Sequence, residues 1–297
     1  DWAEARVTLA SGKVVWLGDL AIGPVRSPYT TDVPFSFCYG DRTSRELLDT
    51  WQLKRSQRQL DESRTELLVT YTDEETGLQM RCVAVKYTDF PVVEWTLYFK
   101  NTSSNPTPIL ENIQVLDTCL ERGGDGEFLL HHGNGSPHSG LAPQTPMQYA
   151  PLETLLGHGA EKKLAAMEGL PAGGDLPYFN VEWFGEGTIV AVGWPGQWSA
   201  KFSRDDTNGL QMRAGQELTH FKLLPGEEVR TPLIAMLFWQ GDWIRSQNIW
   251  RRWMITHNLP RPGGELPPPQ LEASSSAQYI EMSEATEGNQ IDFINHY

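Results

Sequence analysis

The chain has 297 residues, enough for roughly two domains by length. Its 39% hydrophobic content, with 11 Trp and 11 Phe, supplies a substantial core and excludes a disordered chain. With 24 Lys and Arg against 38 Asp and Glu, the net charge is −14. That charge argues against nucleic acid and anionic membranes as partners and favours an uncharged one.

No apolar run approaches the roughly 20 residues of a spanning helix. Residues 1 to about 240 read as many short strands separated by Gly, Pro and Asp turns, the pattern of a large antiparallel sandwich. Residues 65–71 and 79–87 flank a turn-rich 72–77 and predict a hairpin. In 91–99, Val93, Trp95, Leu97 and Phe99 alternate with Glu94, Thr96 and Tyr98, which is period two. Further strands are expected over 109–116, 188–194, 217–224 and 231–239, with Pro225-Gly226-Glu227 as the turn between the last two. Residues 123–174 are rich in Gly, Pro and His and show no sustained period. They are expected to be a long surface loop, or else a lid or oligomer contact.

After Gly241 the pattern becomes helical, with an aromatic stripe at Trp243, Trp250, Trp253 and Met254 and a stop at Pro260. Residues 260–269 hold five prolines and two glycines and read as a stiff connector. A strand over 276–282, an N-cap at Ser283 and a helix over 284–297 follow. A strand and a helix cannot make a core alone. The chain is therefore expected to be the N-terminal portion of a longer protein, with a βα-type domain beginning near Ala277.

No self-contained catalytic motif is present: no GxSxG, Walker loop, HExxH or Gly-rich dinucleotide turn. Of the three cysteines, Cys82 lies in an alternating apolar segment and is expected to be a buried thiol. With Cys38 and Cys119 it has no CxxC spacing for zinc. His131, His132 and His138 read as part of a polar loop, with a transition metal as the alternative. The sequons at Asn101 and Asn134 carry no information without a compartment. Trp194 and Trp198 surround the tight turn Gly193-Trp194-Pro195-Gly196-Gln197-Trp198. Indole faces stack on pyranose rings, and core packing explains a strand-end Trp equally well. Core is the expectation for Trp194, and both roles stay open for Trp198. In Tyr39-Gly40-Asp41-Arg42 the two charges can bond sugar hydroxyls or pair with each other, and the mutual ion pair is the expectation from sequence alone.

Four segments resemble glycoside hydrolase family 36, the α-galactosidase family. Tyr39-Gly40-Asp41-Arg42 resembles the family's Tyr-Gly-x-Gly-Asp-x-Arg stretch. Phe90-Pro91 with Glu94-Trp95 and Asn101 resembles one of its strands. The turn from Gly193 to Trp198 resembles its Gly-Trp-Ser-Gly-Asn-Trp. Leu224-Pro225-Gly226-Glu227 with Thr231-Pro232 resembles its Leu-x-Pro-Gly-Glu and Thr-Pro strands. The helix over 250–260 is similar to the one that leads into the family's barrel. One glycine of the first motif is missing, and Pro195 and Gln197 replace Ser and Asn.

The resemblance implies a β-supersandwich over 1–240, a linking helix over 241–260, a Pro-rich connector over 261–276 and the first βα unit of a truncated (β/α)8 barrel over 277–297. It implies retaining hydrolysis of α-galactosides, or of α-N-acetylgalactosaminides, by two Asp beyond Tyr297, with no metal or organic cofactor. It also implies a homo-oligomer. Asp41, Arg42 and Trp198 are the candidate substrate-binding residues; no residue of this chain is expected to be catalytic. A non-catalytic carbohydrate-binding sandwich is the alternative, and a purely structural or oligomerisation domain a third reading. The compartment, cytoplasmic or secreted, stays open.

Overall fold

The computed structural model of the protein describes residues 6–8, 14–16, 33–123, 126–135, 150–268 and 286–296. The chain divides into two compact units, Asp1–Arg251 and Arg252–Tyr297.

The first unit is built almost wholly of antiparallel strands. Strands β1 (Arg6–Thr8) and β2 (Val14–Trp16) form a two-stranded ribbon. β3 (Ser36–Tyr39) turns tightly into β4 (Arg42–Thr43) and the short helix α1 (Ser44–Leu47). A meander follows: β5 (Gln52–Gln59), β6 (Arg64–Thr72), β7 (Leu78–Tyr87) and β8 (Val92–Asn101). β9 (Leu110–Gln114) and β10 (Leu116–Glu121) come next, then β11 (Phe128–Gly133), β12 (Pro151–Leu156), β13 (Glu161–Met167) and β14 (Leu170–Gly174). The unit continues with β15 (Tyr178–Trp183), β16 (Glu186–Gly193), β17 (Trp198–Arg204), β18 (Gly209–Gln216), β19 (His220–Phe221) and β20 (Glu228–Gln240).

These strands make a nine-stranded sheet in the order β12-β11-β15-β16-β20-β8-β7-β6-β5. A five-stranded sheet, β10-β18-β17-β13-β14, and a four-stranded one, β19-β9-β3-β4, lie against it. Edge-to-face ring pairs join the layers. Phe179 of the large sheet meets Phe202 of the five-stranded sheet at 5.0 Å, and Phe99 meets Phe37 of the four-stranded sheet at 5.2 Å. All three sheets contribute to one continuous apolar core, so the architecture is a β-sandwich.

The hairpin over 64–87 and the strand that ends at Asn101 form where period two predicts them, with Trp95, Leu97 and Phe99 buried. Three expectations need correction. The described residues of 123–174 are not a long loop: they carry β11 to β14. Those strands run only five to seven residues each, and β12 is an edge strand exposed at most positions, so no long period accumulates in the sequence. The expected strand over 109–116 is two strands in different sheets, β9 and β10, separated at Val115, and Asn112, with φ of 51°, sits where the pairing of β9 with β3 shifts register. Of the expected strand over 217–224 only the two-residue β19 forms, at a sheet edge against β9.

Helix α2 (Trp243–Trp253) begins at Asp242, whose Oδ1 accepts from Ile244 N at 2.7 Å. Within the first unit, His131 stacks on Trp243 at 4.6 Å and Tyr178 packs on Trp250 at 5.4 Å. Asn180 accepts from Trp239 Nε1 at 2.9 Å and donates to Ser246 Oγ at 3.1 Å, which ties α2 to β15 and β20. The helix then continues in π geometry over Met254–Asn258, and extended Leu259 ends it before Pro260.

In the second unit, residues 260–268 hold only the 3₁₀ turn Pro262–Gly264. The expected strand over 276–282 and Ser283 lie outside the described residues. Helix α3 (Glu287–His296) follows, and its cap is Thr286, whose Oγ1 accepts from Asn289 N at 3.3 Å.

Candidate functional site

Phe35, Phe37 and Tyr39 are buried on the approach to the β3–β4 turn. Gly40 and Asp41 then take φ of 54° and 64°, the paired left-handed conformation of a two-residue hairpin turn. Gly40 N donates to Ile109 O at 3.0 Å, and a Cβ on Gly40 would stand 3.3 Å from Pro108 Cβ, so the turn is tightly seated. Tyr39 anchors it from below: its hydroxyl donates to Thr76 Oγ1 at 2.7 Å, and Thr76 donates to Asp73 Oδ2 at 2.6 Å. Burial pushes the Tyr39 phenol up to about 12, so it stays a neutral donor.

On the far side of the turn, Glu46 Oε2 accepts from Thr43 N and Thr43 Oγ1, both at 2.8 Å. The Thr43 N–H bond is the largest of the influences that hold the Glu46 carboxyl below its ordinary range. Arg42 donates to Glu46 O at 3.4 Å. The expected pairing of Asp41 with Arg42 is therefore replaced by a contact from Arg42 to α1. Asp41 is exposed at the sandwich edge, and among the described residues no ion pair or hydrogen bond engages its carboxylate. A rigid turn thus presents one unpaired anionic acceptor to the outside, an arrangement suited to a ligand rich in hydroxyl donors.

Trp198 needs correction as a sugar platform. It is 0% exposed at the start of β17, and its Nε1 donates to Pro171 O at 2.7 Å, so neither indole face is open. The signal was present in the sequence: Trp198, Ala200 and Phe202 alternate with Ser199, Lys201 and Ser203, and the former are all buried. Trp194, for which core packing was the expectation, does pack against the core but is only partly buried beyond the end of β16, with the Arg230 guanidinium over its ring at 5.8 Å. Both tryptophans of the turn pack on the same core, and only Trp198 is fully buried.

His131 and His132 also depart from the loop reading. Both are buried in β11. His131 Nε2 lies 2.8 Å from Glu182 Oε2 and Nδ1 lies 3.2 Å from Glu153 Oε1, while His132 Nε2 meets Thr154 Oγ1 at 3.0 Å. His138 lies outside the described residues. Among the described residues no group of three or more His, Cys, Asp or Glu is arranged to hold a metal. Cys38, Cys82 and Cys119 are free thiols, and Cys82 is buried as expected.

No family model matches the chain, and no curated protein matches it. Solved structures do. The family 36 α-galactosidase AgaA of Geobacillus stearothermophilus, crystallised with stachyose, is similar with a TM-score of 0.57 at 13% identity. The match covers 77% of this chain and 33% of that one. An α-galactosidase of Lactobacillus brevis has a TM-score of 0.55 at 13% identity, over 84% of this chain and 30% of its own. The galactosidase domain of the α-galactosidase–sucrose kinase AgaSK has a TM-score of 0.51 at 17% identity, over 71% of this chain and 30% of its own. The likeness is one of fold, and the chain spans about a third of the length of the structures it matches.

Proposed function

We propose that this family 36-like chain is the N-terminal portion of a retaining glycoside hydrolase that removes terminal α-galactosyl or α-N-acetylgalactosaminyl groups. In this reading residues 1–240 are the supersandwich, 241–260 the linking helix, 261–276 the connector and 277–297 the opening of a catalytic barrel. Retaining hydrolysis needs two carboxyl groups about 5 Å apart across the scissile bond. That pair belongs to the barrel beyond Tyr297, and the chain's own role is to support the barrel and shape its pocket. No metal or organic cofactor is required. The substrates are neutral, in keeping with a chain of net charge −14.

The observation that carries the reading is Asp41: an exposed, unpaired carboxylate on a rigid turn, in a fold that α-galactosidases share. It accepts hydrogen bonds from galactose hydroxyls, across a subunit boundary in a homo-oligomer, with Arg42 beside it. Losing a charged contact of this kind costs about 1.5–3 kcal/mol, near a tenfold to hundredfold fall in kcat/KM. The test is Asp41→Ala in the enzyme that continues past Tyr297. The expected result is that fall in an enzyme that still folds, with a melting temperature lowered by no more than a few degrees, because alanine accepts the φ of 64° at Asp41 less readily than aspartate does. Wild-type kinetics, or a melting point lowered enough to explain the loss, would overturn it.

A second reading, a non-catalytic carbohydrate-binding sandwich, draws on the partly exposed Trp194. What separates it from the hydrolytic reading is its prediction that no hydrolytic activity accompanies the longer protein.

A further inference from the structure

Three of the segments singled out in the sequence converge on one place. The turn after β16 carries Trp194. Beside it, the pairing of β20 with β8 loses register between Arg230 and Leu233, where Thr231 and Pro232 interrupt the ladder. Pro232 has no N–H to give, and Thr231 Oγ1 instead accepts from Leu97 N at 3.0 Å. Across from them, Trp95 Nε1 donates to Val115 O at 2.8 Å and holds the chain between β9 and β10. The irregularity leaves a cavity of ≈ 260 Å³ open to solvent.

Ile113 and Phe221 give the cavity apolar walls, and Trp194, Gln216 and Arg230 are the lining residues with side-chain N–H groups. Among the described residues the Trp194 indole N–H, the Gln216 amide and the Arg230 guanidinium make no side-chain hydrogen bond or ion pair. Among the described residues no carboxylate lines the cavity.

Its complement must satisfy an indole, an amide and a guanidinium fork at once. A wholly apolar ligand leaves the three donor groups unpaired. The volume equals about nine waters at about 30 Å³ each, which suits one six-membered ring and is too small for a nucleotide. A pyranose offers an apolar face to the side of the Trp194 ring that the Arg230 guanidinium leaves uncovered, and peripheral oxygens to Gln216 and Arg230. The unpaired guanidinium, with no acid beside it, favours a ring bearing a carboxylate, which an Arg fork can take bidentately. We propose that the Trp194 cavity binds a single pyranose ring, and binds a uronate more tightly than its neutral counterpart. This site does not rest on the hydrolytic reading.

The test titrates the 297-residue chain with D-galacturonate and D-galactose by saturation-transfer NMR and calorimetry. A ligand of about a dozen heavy atoms gives a Kd of about 1 mM. The expected result is saturable binding of both, with galacturonate at least about threefold tighter. Trp194→Ala weakens both by more than about tenfold, and Arg230→Gln brings galacturonate to the level of galactose. Circular dichroism monitors folding, and Trp194→Phe, which keeps an aromatic platform, retains part of the affinity if the alanine variant does not fold. No saturation with either sugar by about 20 mM overturns the proposal. So does unchanged binding in folded Trp194→Ala, or a uronate preference that survives Arg230→Gln. The titration contains no turnover step, so its failure leaves the hydrolytic reading standing, and the Asp41 kinetics leave this one standing.

Discussion

Replacing Asn101 with Ala should destabilise the first unit by about 3 kcal/mol. Asn101 ends β8 and is 0% exposed. Its Nδ2 donates to Asn105 O at 2.7 Å and to Leu223 O at 3.0 Å, and its Oδ1 accepts from Ser103 N and Ser103 Oγ, both at 2.9 Å. One amide thus clamps the loop after β8 to the segment that precedes β20. The bond to Leu223 O is wholly buried, so its loss strands a carbonyl at about 1–3 kcal/mol. The other three are nearer the surface, where water can replace them at about 0.5 kcal/mol each. In a unit of this size each kcal/mol moves the melting midpoint by about 2–4 °C, so a fall of about 6–12 °C is expected. Asn101→Asp keeps the acceptor for Ser103 but sets a charge against two carbonyls, and should cost at least as much. Scanning calorimetry, with urea unfolding at unchanged m, measures both. A midpoint within about 2 °C of wild type would refute the argument, because it would mean that water or backbone shifts satisfy Leu223 O. The same geometry makes the Asn101 sequon a poor glycan acceptor in the folded chain: the nitrogen a glycan would take is already donating twice.

His131→Ala removes the ring that stacks on Trp243 and bridges Glu153 and Glu182. It should loosen α2 by about 2 kcal/mol, read as faster amide exchange over Trp243–Trp253 with the sheet unaffected. Unchanged exchange would show that Asn180 and Trp250 hold the helix alone. Hydrogen bonds from Lys163 and then Gln197 hold Glu217 below the ordinary carboxylate range, and Arg64 leads the contacts that bring Asp61 to about 2. Both groups are more acidic folded than unfolded. Their contribution is therefore complete above the unfolded value near 4 and is lost as pH falls toward about 2. Urea midpoints should decline across that window, less steeply in Glu217→Gln, and an identical slope in the two proteins would refute the assignment. Burial pushes the Cys82 thiol up to about 12, so a disulfide reagent at pH 8 should reach at most two thiols in the native protein and three in urea. A third native thiol would show that β7 opens.

Much of the architecture is written in local pattern. The strand from Val92 to Asn101 and the hairpin before it bury one face, so alternation alone reveals them. Gly40-Asp41 announces a tight turn because few residues accept positive φ. Helix α2 declares itself by its aromatic spacing and by Pro260.

Other features depend on partners distant in sequence. β13 is a strand because it pairs with β17, some 40 residues on, and β12 is an exposed edge whose own residues carry little pattern. Whether Asp41 pairs with Arg42 was decided by α1, whose Glu46 carbonyl takes the guanidinium and leaves the carboxylate open. Trp194 and Trp198 sit four residues apart in the same turn, equally suited to a core or a sugar. Trp198 is covered because the backbone at Pro171, on β14, closes over its indole, whereas Trp194 faces the gap left by the irregular pairing of β20. Period and turn chemistry are properties of neighbouring residues and can be read along the chain. Which of two equivalent side chains meets solvent depends on what other strands bring over it, and only the assembled sheets decide that.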